Sequence, residues 1–284
     1  MRIIWVLENI DGNREFYSKL NILLLLASVR LWKRNQPEDT CVLYTDSMTR
    51  DLLHELNVHH FWDEISLYKP TRNINTKVFW AASKLEILAK QTVPVIIMDN
   101  DTLVFKPIKE YLDLNKVYVC NFEVGKGYYP TAIDPYIQQL SYRARWKTES
   151  VNVSFLNLPD PKFTKEYANM SLKFMEEFTK MKVPHSQYLI FAEQLLLKHL
   201  LDKKNIEYKS ILSTNWDCKK WEWGEDHDKG IWTMNDSGLY FKHYGPLKSW
   251  IKKNLGDQNY NEEVKLLSNC INFPNLYLDI IEKP

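Results

Sequence analysis

Two carboxylates separated by one residue follow an apolar segment about one third of the way along the 284-residue chain. Val95–Met98 contains only apolar residues, and Asp99 and Asp101 come directly after it. Because ligands of open α/β sheets bind where strands end, we expect this pair to lie at a binding site. Paired carboxylates suit a hard divalent cation such as Mg²⁺ or Mn²⁺, which keeps coordination positions for phosphate oxygens. The pair therefore predicts a metal-phosphate site, although aspartates at a turn also commonly cap backbone amides.

The chain around this pair is predicted to form an α/β fold. Up to Asn121 it alternates between short β-branched runs and longer stretches with apolar residues at spacings of three and four. Such alternation is typical of a mixed, mostly parallel central sheet with covering helices, as in Rossmann-like folds. The predicted strands are Ile3–Leu7, Thr40–Thr45, Val95–Met98 and Val117–Asn121, and the predicted helices are 14–33, 47–57 and 77–90.

The remainder of the chain begins without regular periodicity. Residues 123–150 are rich in Gly, Tyr, Pro and Arg, and a long irregular segment in a compact domain is often a binding loop. The pattern then predicts a strand at 151–158, helices at 163–182 and 187–203, and a Trp-rich segment of short strands and turns. Since no linker separates these parts, we expect a single domain over residues 1–284.

Composition excludes several classes of protein. The 37 basic and 36 acidic residues give a net charge of +1, so no overall field attracts nucleic acid. The longest apolar run, Ile22–Val29, is far shorter than the roughly 20 residues that span a bilayer, and the N-terminus does not resemble a signal sequence. We therefore expect a cytoplasmic protein without a transmembrane span, whose four separated cysteines are reduced.

The segment Asp99–Thr102 resembles the nucleophile motif of haloacid-dehalogenase-type phosphatases. In that family the first Asp is phosphorylated and the second acts as acid and base, which would make Asp99 the nucleophile. The motif usually follows the first strand of that fold, whereas here a long stretch of α/β sequence precedes it. The residues that could imitate the family's acidic metal motif lie in a Trp-rich segment without a preceding apolar strand: Glu225, Asp226 and Asp228. A phosphatase is therefore the alternative hypothesis.

Four sequence blocks, in order, resemble glycosyltransferases of the GT-A fold, especially the retaining family 8 type that contains glycogenin and bacterial lipopolysaccharide galactosyltransferases. That family has a Lys-Leu helix before a strand and Asp-x-Asp, then Asn-Ser/Thr-Gly, then Asp-Gln on a helix, then His-x-x-Gly-x-x-Lys-Pro-Trp. The corresponding blocks here are Lys84-Leu85 with Asp99–Ile108, Asn152–Ser154, Glu193-Gln194 and His243–Trp250. The resemblance covers most of the chain.

This resemblance implies a metal ion held against the diphosphate of a nucleotide sugar. Asp99, Asp101 and His243 would be its protein ligands, and a neutral imidazole favours Mn²⁺ over Mg²⁺. Lys248 lies in the turn that contains Gly245 and would place a positive charge beside the same diphosphate. Metal and lysine together would stabilise the departing nucleoside diphosphate.

The other blocks imply contacts with the transferred sugar. Lys84 corresponds to the family's lysine that contacts the donor, and Asn152 and Gln194 correspond to its sugar-binding amides. Glu193 stands where the family has Asp, and it would be catalytic if a carboxylate intercepts the sugar before the acceptor does. Alternatively, the acceptor attacks the face that the diphosphate leaves. An inverting enzyme would instead need a carboxylate base, for which the candidates are Glu193, Asp217 and Glu222.

Analogy with the fold places the donor's base at the end of the first strand. The candidate donor-binding residues there are Leu7, Glu8, Asn9 and Tyr17, with Asn100 between the two aspartates. Tyr17 is the expected stacking partner of the base. The aromatic segments 128–142 and 216–232 are candidates for stacking on acceptor sugars, and Trp221 and Trp223 are the foremost of these residues.

These arguments predict a metal-dependent, retaining glycosyltransferase that uses a UDP-sugar in polysaccharide or glycoconjugate biosynthesis. Residues 1–122 would form the nucleotide-sugar half, and 123–284 the acceptor half. The acceptor would be a glycan or glycolipid, and the basic residues near Trp250 would give at most weak contact with the inner face of a membrane. A catalytically inactive relative that only binds nucleotide or carbohydrate is the remaining alternative.

Overall fold

The computed structural model describes the chain in several ranges. They are 1–8, 19–76, 78–124, 149–181, 188, 191–212, 216–217, 222–223 and 241–243, and for residues 19–20 and the last three ranges only the backbone is described. The strands are β1 Arg2–Leu7, β2 Thr40–Thr45, β3 Glu64–Leu67, β4 Val95–Met98, β5 Thr102–Val104, β6 Val117–Val124, β7 Ser150–Leu158, β8 Tyr208–Ser210, β9 Trp216–Asp217, β10 Glu222–Trp223 and β11 Phe241–His243. The helices are α1 Lys19–Asn35, α2 Ser47–Glu55, α3 Ala82–Ala89, α4 Pro161–Lys180 and α5 Leu196–Lys203, with a π-helical turn at Phe191–Leu195 directly before α5.

A mixed sheet forms the centre of the described structure. Its strand order is β10-β9-β6-β7-β4-β1-β2-β3, and β8 also pairs with β6. Strands β3, β2, β1 and β4 run parallel, whereas β7 is antiparallel to both β4 and β6. Strand β6 therefore points the same way as β4. As a result, the carboxyl ends of β1, β4 and β6 and the start of β7 meet at one edge, here called the carboxyl edge. A separate pair, β5 and β11, lies beyond that edge of β4.

Helices cover both faces of the sheet. On β1, Ile3 and Trp5 belong to one apolar core with the buried leucines of α1, while Ile4 belongs to a second core with α3 and α4. All three β1 side chains are fully buried. Continuous burial of successive strand residues is what a parallel sheet with two covered faces requires. The predicted α/β class with a mixed, mostly parallel sheet and covering helices is confirmed.

Most predicted elements are found close to their expected positions, with differences at their ends. The helix expected at 77–90 is shorter and spans Ala82–Ala89, because the residues before Ala82 form turns. The segment expected to be irregular at 123–150 has regular structure at both of its ends. Strand β6 continues to Val124 and β7 already starts at Ser150, since the two strands pair through Glu123 and Ser150.

Two further expectations concern the membrane and the cysteines. Among the described residues, no helix combines the length and the apolar character that crossing a bilayer requires. Cys41 and Cys120 are buried free thiols, as expected, and Cys218 and Cys270 lie outside the described residues.

Candidate functional site

The Asp99–Asp101 turn is fixed to the neighbouring strand β7. The backbone N–H of Asp99 donates to the Ser154 carbonyl over 2.8 Å, and the Thr102 N–H donates to the Asp99 carbonyl over 3.1 Å. The Thr102 hydroxyl also donates to the Ser154 carbonyl over 3.2 Å. Asp101 is buried, whereas the Asp99 side chain is 40% exposed. The two carboxylates are therefore held at the carboxyl edge, where the sequence predicted a site.

Helix α1 supports the turn from behind. The Ser28 hydroxyl donates to the Thr102 carbonyl over 2.6 Å and accepts the indole N–H of Trp5 over 2.9 Å. All three residues are fully buried. The position of β5, and with it the exit from the turn, is thus tied to α1 and β1.

Lys84 is the centre of a buried charge cluster at this edge. Its Nζ lies 2.7 Å from Asp99 Oδ1 and 2.8 Å from Glu193 Oε1. Nζ also donates to the carbonyl of Val153 on β7, over 3.3 Å. Burial lowers the pKa of this ammonium, but the two carboxylates outweigh burial and the pKa is raised above its ordinary value. Lys84 is therefore charged and is not the solvated helix lysine that its position on a helix alone would suggest.

Glu193 reaches Lys84 from the π-helical turn. The residue is buried, and burial raises the pKa of its carboxyl, while the nearby Lys84 ammonium opposes this shift. Its backbone carbonyl accepts a hydrogen bond from the Tyr167 hydroxyl over 2.7 Å. The adjacent Gln194 is half-buried on the same turn. One sequence block contains Lys84 and Asp99, and another, distant along the chain, contains Glu193 and Gln194. The structure brings these two blocks together through Lys84.

Strand β11 brings the backbone of His243 to the same turn. His243 pairs with Thr102, the residue after Asp101, in an antiparallel ladder. Among the side chains that the structure describes, no three His, Cys, Asp or Glu residues form a cluster able to hold a metal ion. The described donors are two carboxylates at a strand end, which suit Mg²⁺ or Mn²⁺. The backbone pairing places His243 beside Thr102, and its part in a metal site stays a prediction.

Glu123 is a buried carboxylate near the carboxyl edge that no sequence motif marks. It is buried at the end of β6 and accepts a hydrogen bond from the Asn152 side-chain amide over 2.8 Å. Asn152 Oδ1 in turn accepts the Ser154 N–H over 3.0 Å. Glu123 follows apolar residues of a strand that points the same way as the strand before Asp99. This position is the sequence signal that indicates a carboxylate at the same edge. The lack of regular periodicity from residue 123 onward hides this signal in the sequence.

Of the predicted base-binding residues, Leu7 and Glu8 lie at the end of β1, and Asn100 lies in the turn after β4. The Ser83 hydroxyl donates to Glu8, which ties α3 to this strand end, and the Asn100 amide donates to the Val6 carbonyl over 3.0 Å. Burial raises the pKa of Glu8 above its ordinary value. The Leu7 carbonyl accepts the Thr45 hydroxyl over 2.5 Å. The remaining predicted residues lie outside the described side chains: Asn9, Tyr17, Asp217, Trp221, Glu222, Trp223, His243, Gly245 and Lys248.

A family model matches residues 26–235 of this chain and is described as a family of unknown function, DUF6734. The match covers more than half of the 284 residues, and the chain belongs to this family. No curated protein matches the sequence.

Among solved structures, the chain is similar to the galactosyltransferase LgtC in complex with donor and acceptor sugar analogs. The identity is 12%, the match covers 100% of this chain and 98% of that chain, and the TM-score is 0.46. It is also similar to the glycosyltransferase GlyE of Streptococcus pneumoniae TIGR4, at 12% identity over 74% of this chain and 45% of that chain, with a TM-score of 0.41. It is similar to the PaToxG glycosyltransferase at 9% identity, over 72% of this chain and 69% of that chain, with a TM-score of 0.41.

Proposed function

We propose that this protein is a metal-dependent glycosyltransferase that moves a sugar from a UDP-sugar to a carbohydrate or glycoconjugate acceptor with retention. The observation that carries the proposal is the cluster at the carboxyl edge. There Lys84 holds Asp99 and Glu193 together within 2.7 and 2.8 Å of its Nζ, beside the buried Asp101. The four ordered sequence blocks support the same assignment.

Asp99, Asp101 and His243 would hold the metal ion, Mn²⁺ or Mg²⁺. The Asp99 carboxylate is partly exposed, and in the described contacts its Oδ1 accepts a hydrogen bond from Lys84 Nζ. This bond fixes the orientation of the carboxylate. Such an ion acts as a Lewis acid that stabilises the charge of a departing diphosphate. Lys248, five residues after His243 in the sequence, would add a cation.

Lys84 and Glu193 would organise the reacting side of the transferred sugar. A buried carboxylate with a raised pKa, held by one ammonium, is an environment typical of reacting groups. Glu193 would intercept the sugar, or its charge would stabilise the sugar's developing cation while the acceptor attacks from the diphosphate side. Gln194 and Asn152 would hold sugar hydroxyls, and Glu8 and Asn100 would lie near the base.

The test is calorimetric titration of UDP and GDP into the protein, with Mn²⁺ and again with a chelator. We expect UDP to bind with Mn²⁺ only, and Asp101→Ala to weaken binding at least about tenfold, since one metal ligand is lost. Asp51→Ala is the matched control, because Asp51 is an exposed aspartate paired with Arg50 on α2. Its affinity should equal that of the wild-type protein.

The alternative is phosphatase activity with Asp99 as the nucleophile, which the exposure of Asp99 at a strand end permits. If neither nucleotide binds under any condition, the transferase proposal fails. Hydrolysis of p-nitrophenyl phosphate that Asp99→Asn abolishes would then establish the phosphatase.

A further inference from the structure

The π-helical turn is the element that brings Glu193 into the charge cluster. Phe191–Leu195 forms this turn and leads directly into α5. A π-helical turn holds more residues than an α-helical one, and single turns of this kind are frequent at functional sites. Because the residues of a π-helical turn are spaced around the helix axis differently from those of an α-helix, the geometry of this turn contributes to the direction of the Glu193 side chain.

Tyr167 makes a direct polar contact with this turn. The residue lies on α4 and is fully buried, and its hydroxyl donates to the backbone carbonyl of Glu193 over 2.7 Å. Burial, with the nearby negative charges of Glu193 and Asp99, raises the pKa of the phenol well above its ordinary value. The hydroxyl therefore stays protonated and remains a donor.

Apolar contacts hold α4 against the same region without this hydroxyl. The rings of Phe174 and Phe191 lie 4.8 Å apart, and those of Phe178 and Tyr188 lie 4.3 Å apart. Packing of the two elements is thus already provided by α4 residues other than Tyr167. Within the part of the chain that the structure describes, the hydroxyl bonds to one group, the peptide carbonyl of the residue whose side chain meets Lys84.

We propose that Tyr167 is a positioning residue that fixes the π-helical turn so that the Glu193 carboxylate stays beside Lys84 and the reacting sugar. The proposal rests on the proposed glycosyltransferase function and assigns to that site a residue outside the motifs. A displacement of about 1 Å in a reacting group costs on the order of 100-fold in rate. Loss of one fixed hydrogen bond at the Glu193 peptide is therefore expected to affect turnover more than donor binding.

The experiment compares the wild-type protein with Tyr167→Phe, which keeps the ring and removes only the hydroxyl. The donor probe is whichever of UDP-glucose, UDP-galactose and UDP-N-acetylglucosamine the wild-type protein hydrolyses fastest with Mn²⁺, measured as released UDP. We expect kcat to fall about 10- to 100-fold with KM and UDP affinity unchanged within about twofold. We also expect amides of Phe191–Leu195 to exchange with solvent about tenfold faster, by mass spectrometry.

The control is Phe174→Leu, which loosens the same interface and retains the hydroxyl. Its melting temperature should fall, while kcat should stay within about twofold of the wild-type value. Equal loss of kcat in both variants would show a general stability effect and overturn the positioning role. Unchanged exchange in Tyr167→Phe would overturn it as well.

Failure of this proposal differs from failure of the proposed function. The transferase proposal fails if the wild-type protein neither binds UDP nor releases it from any of the three donors. In that case the exchange measurement still decides whether Tyr167 fixes the turn. An active wild-type protein with an equally active Tyr167→Phe variant contradicts the positioning role alone.

Discussion

At the scale of single residues, burial gives Lys84 a structural role that its sequence block alone does not indicate. A buried ion pair is costly to form, because both charges lose water, but breaking it by removing one partner is costlier still. Lys84 avoids an unpaired charge by meeting Asp99, Glu193 and a backbone carbonyl at once. We infer that the lysine keeps the two carboxylates close together, in addition to the donor contact proposed for it.

Replacement of Lys84 by methionine should therefore destabilise the protein strongly. We expect the free energy of unfolding to fall by about 3–5 kcal/mol, since Glu193 is left buried without a counter-charge. Lys84→Met combined with Glu193→Gln should recover more than about 1 kcal/mol of this loss. Urea unfolding of the two single variants and the double variant measures the coupling.

The matched control for this cycle is Lys33→Met, which breaks the exposed pair between Lys33 and Asp63. Exposed pairs contribute about 0–1 kcal/mol, so its loss should be small. Equal effects of Lys84→Met and Lys33→Met would show that the cluster is not effectively buried.

Glu8 makes stability depend on pH in the opposite sense from an ion-paired carboxylate. Because burial raises its pKa in the folded state, the folded protein binds more protons than the unfolded chain at pH values between the ordinary and the raised pKa. The contribution of Glu8 to stability is thus complete below its ordinary pKa and is lost as the pH rises through the raised value.

Glu8→Gln keeps an oxygen that accepts from Ser83 and removes the charge. We expect its melting temperature to exceed that of the wild-type protein by about 1–3 °C at pH 7 and to match it at pH 4, by calorimetry. A gain of the same size at pH 4 would mean that ionisation of Glu8 is not the cause.

At the scale of elements, the site depends on contacts between segments that no local pattern links. Ser28 on α1 joins Trp5 on β1 to Thr102 on β5 through two buried hydrogen bonds. Because Thr102 also pairs with His243, this connection runs from the core to the predicted metal ligands.

Ser28→Ala removes both hydrogen bonds and leaves the buried Trp5 indole N–H and Thr102 carbonyl without this partner. The expected loss of unfolding free energy is about 1–3 kcal/mol, as for other buried polar groups that lose a partner. Ser66→Ala, which removes an exposed hydroxyl bonded to Glu64, should change it by less than about 0.5 kcal/mol. Chemical denaturation of both variants gives the comparison, and equal losses would contradict the role of Ser28.

At the scale of the whole molecule, both cores bury the central sheet from opposite faces. Cys41 and Cys120 belong to the core on the α1 side, and neither has exposed surface. Burial raises the pKa of the Cys41 thiol to about 12 and that of Cys120 further, so almost no thiolate is present near neutral pH.

These two thiols should therefore react only when the molecule unfolds. In a Cys218→Ser/Cys270→Ser variant, labelling by a disulfide reagent at pH 8 should be at least about 1,000-fold slower in buffer than in concentrated urea. Fast labelling of either thiol in buffer would show that the α1 side of the molecule opens locally.

Local patterns predicted strands β1, β2, β4, β6 and β7, because strands alternating with amphipathic helices leave a signal within a few residues. They did not predict β3, whose four residues are too few for a clear pattern. They also marked Asp99 and Asp101, since two aspartates after an apolar strand are recognisable without any partner. The π-helical turn and the true start of α3 could not be predicted in this way. The turn contacts Tyr167 of α4, and Ser83 near the start of α3 contacts Glu8 after β1, and both partners are distant in the sequence.

The sequence by itself determined the α/β class, the carboxylate pair and the order of the blocks, because each of these is set by neighbours along the chain. Only the tertiary structure decided that Lys84 is buried between Asp99 and Glu193, and that Glu123 meets Asn152. The physical reason is that charge pairing and burial depend on which strand ends share one edge. That arrangement follows from the antiparallel insertion of β7 between β4 and β6.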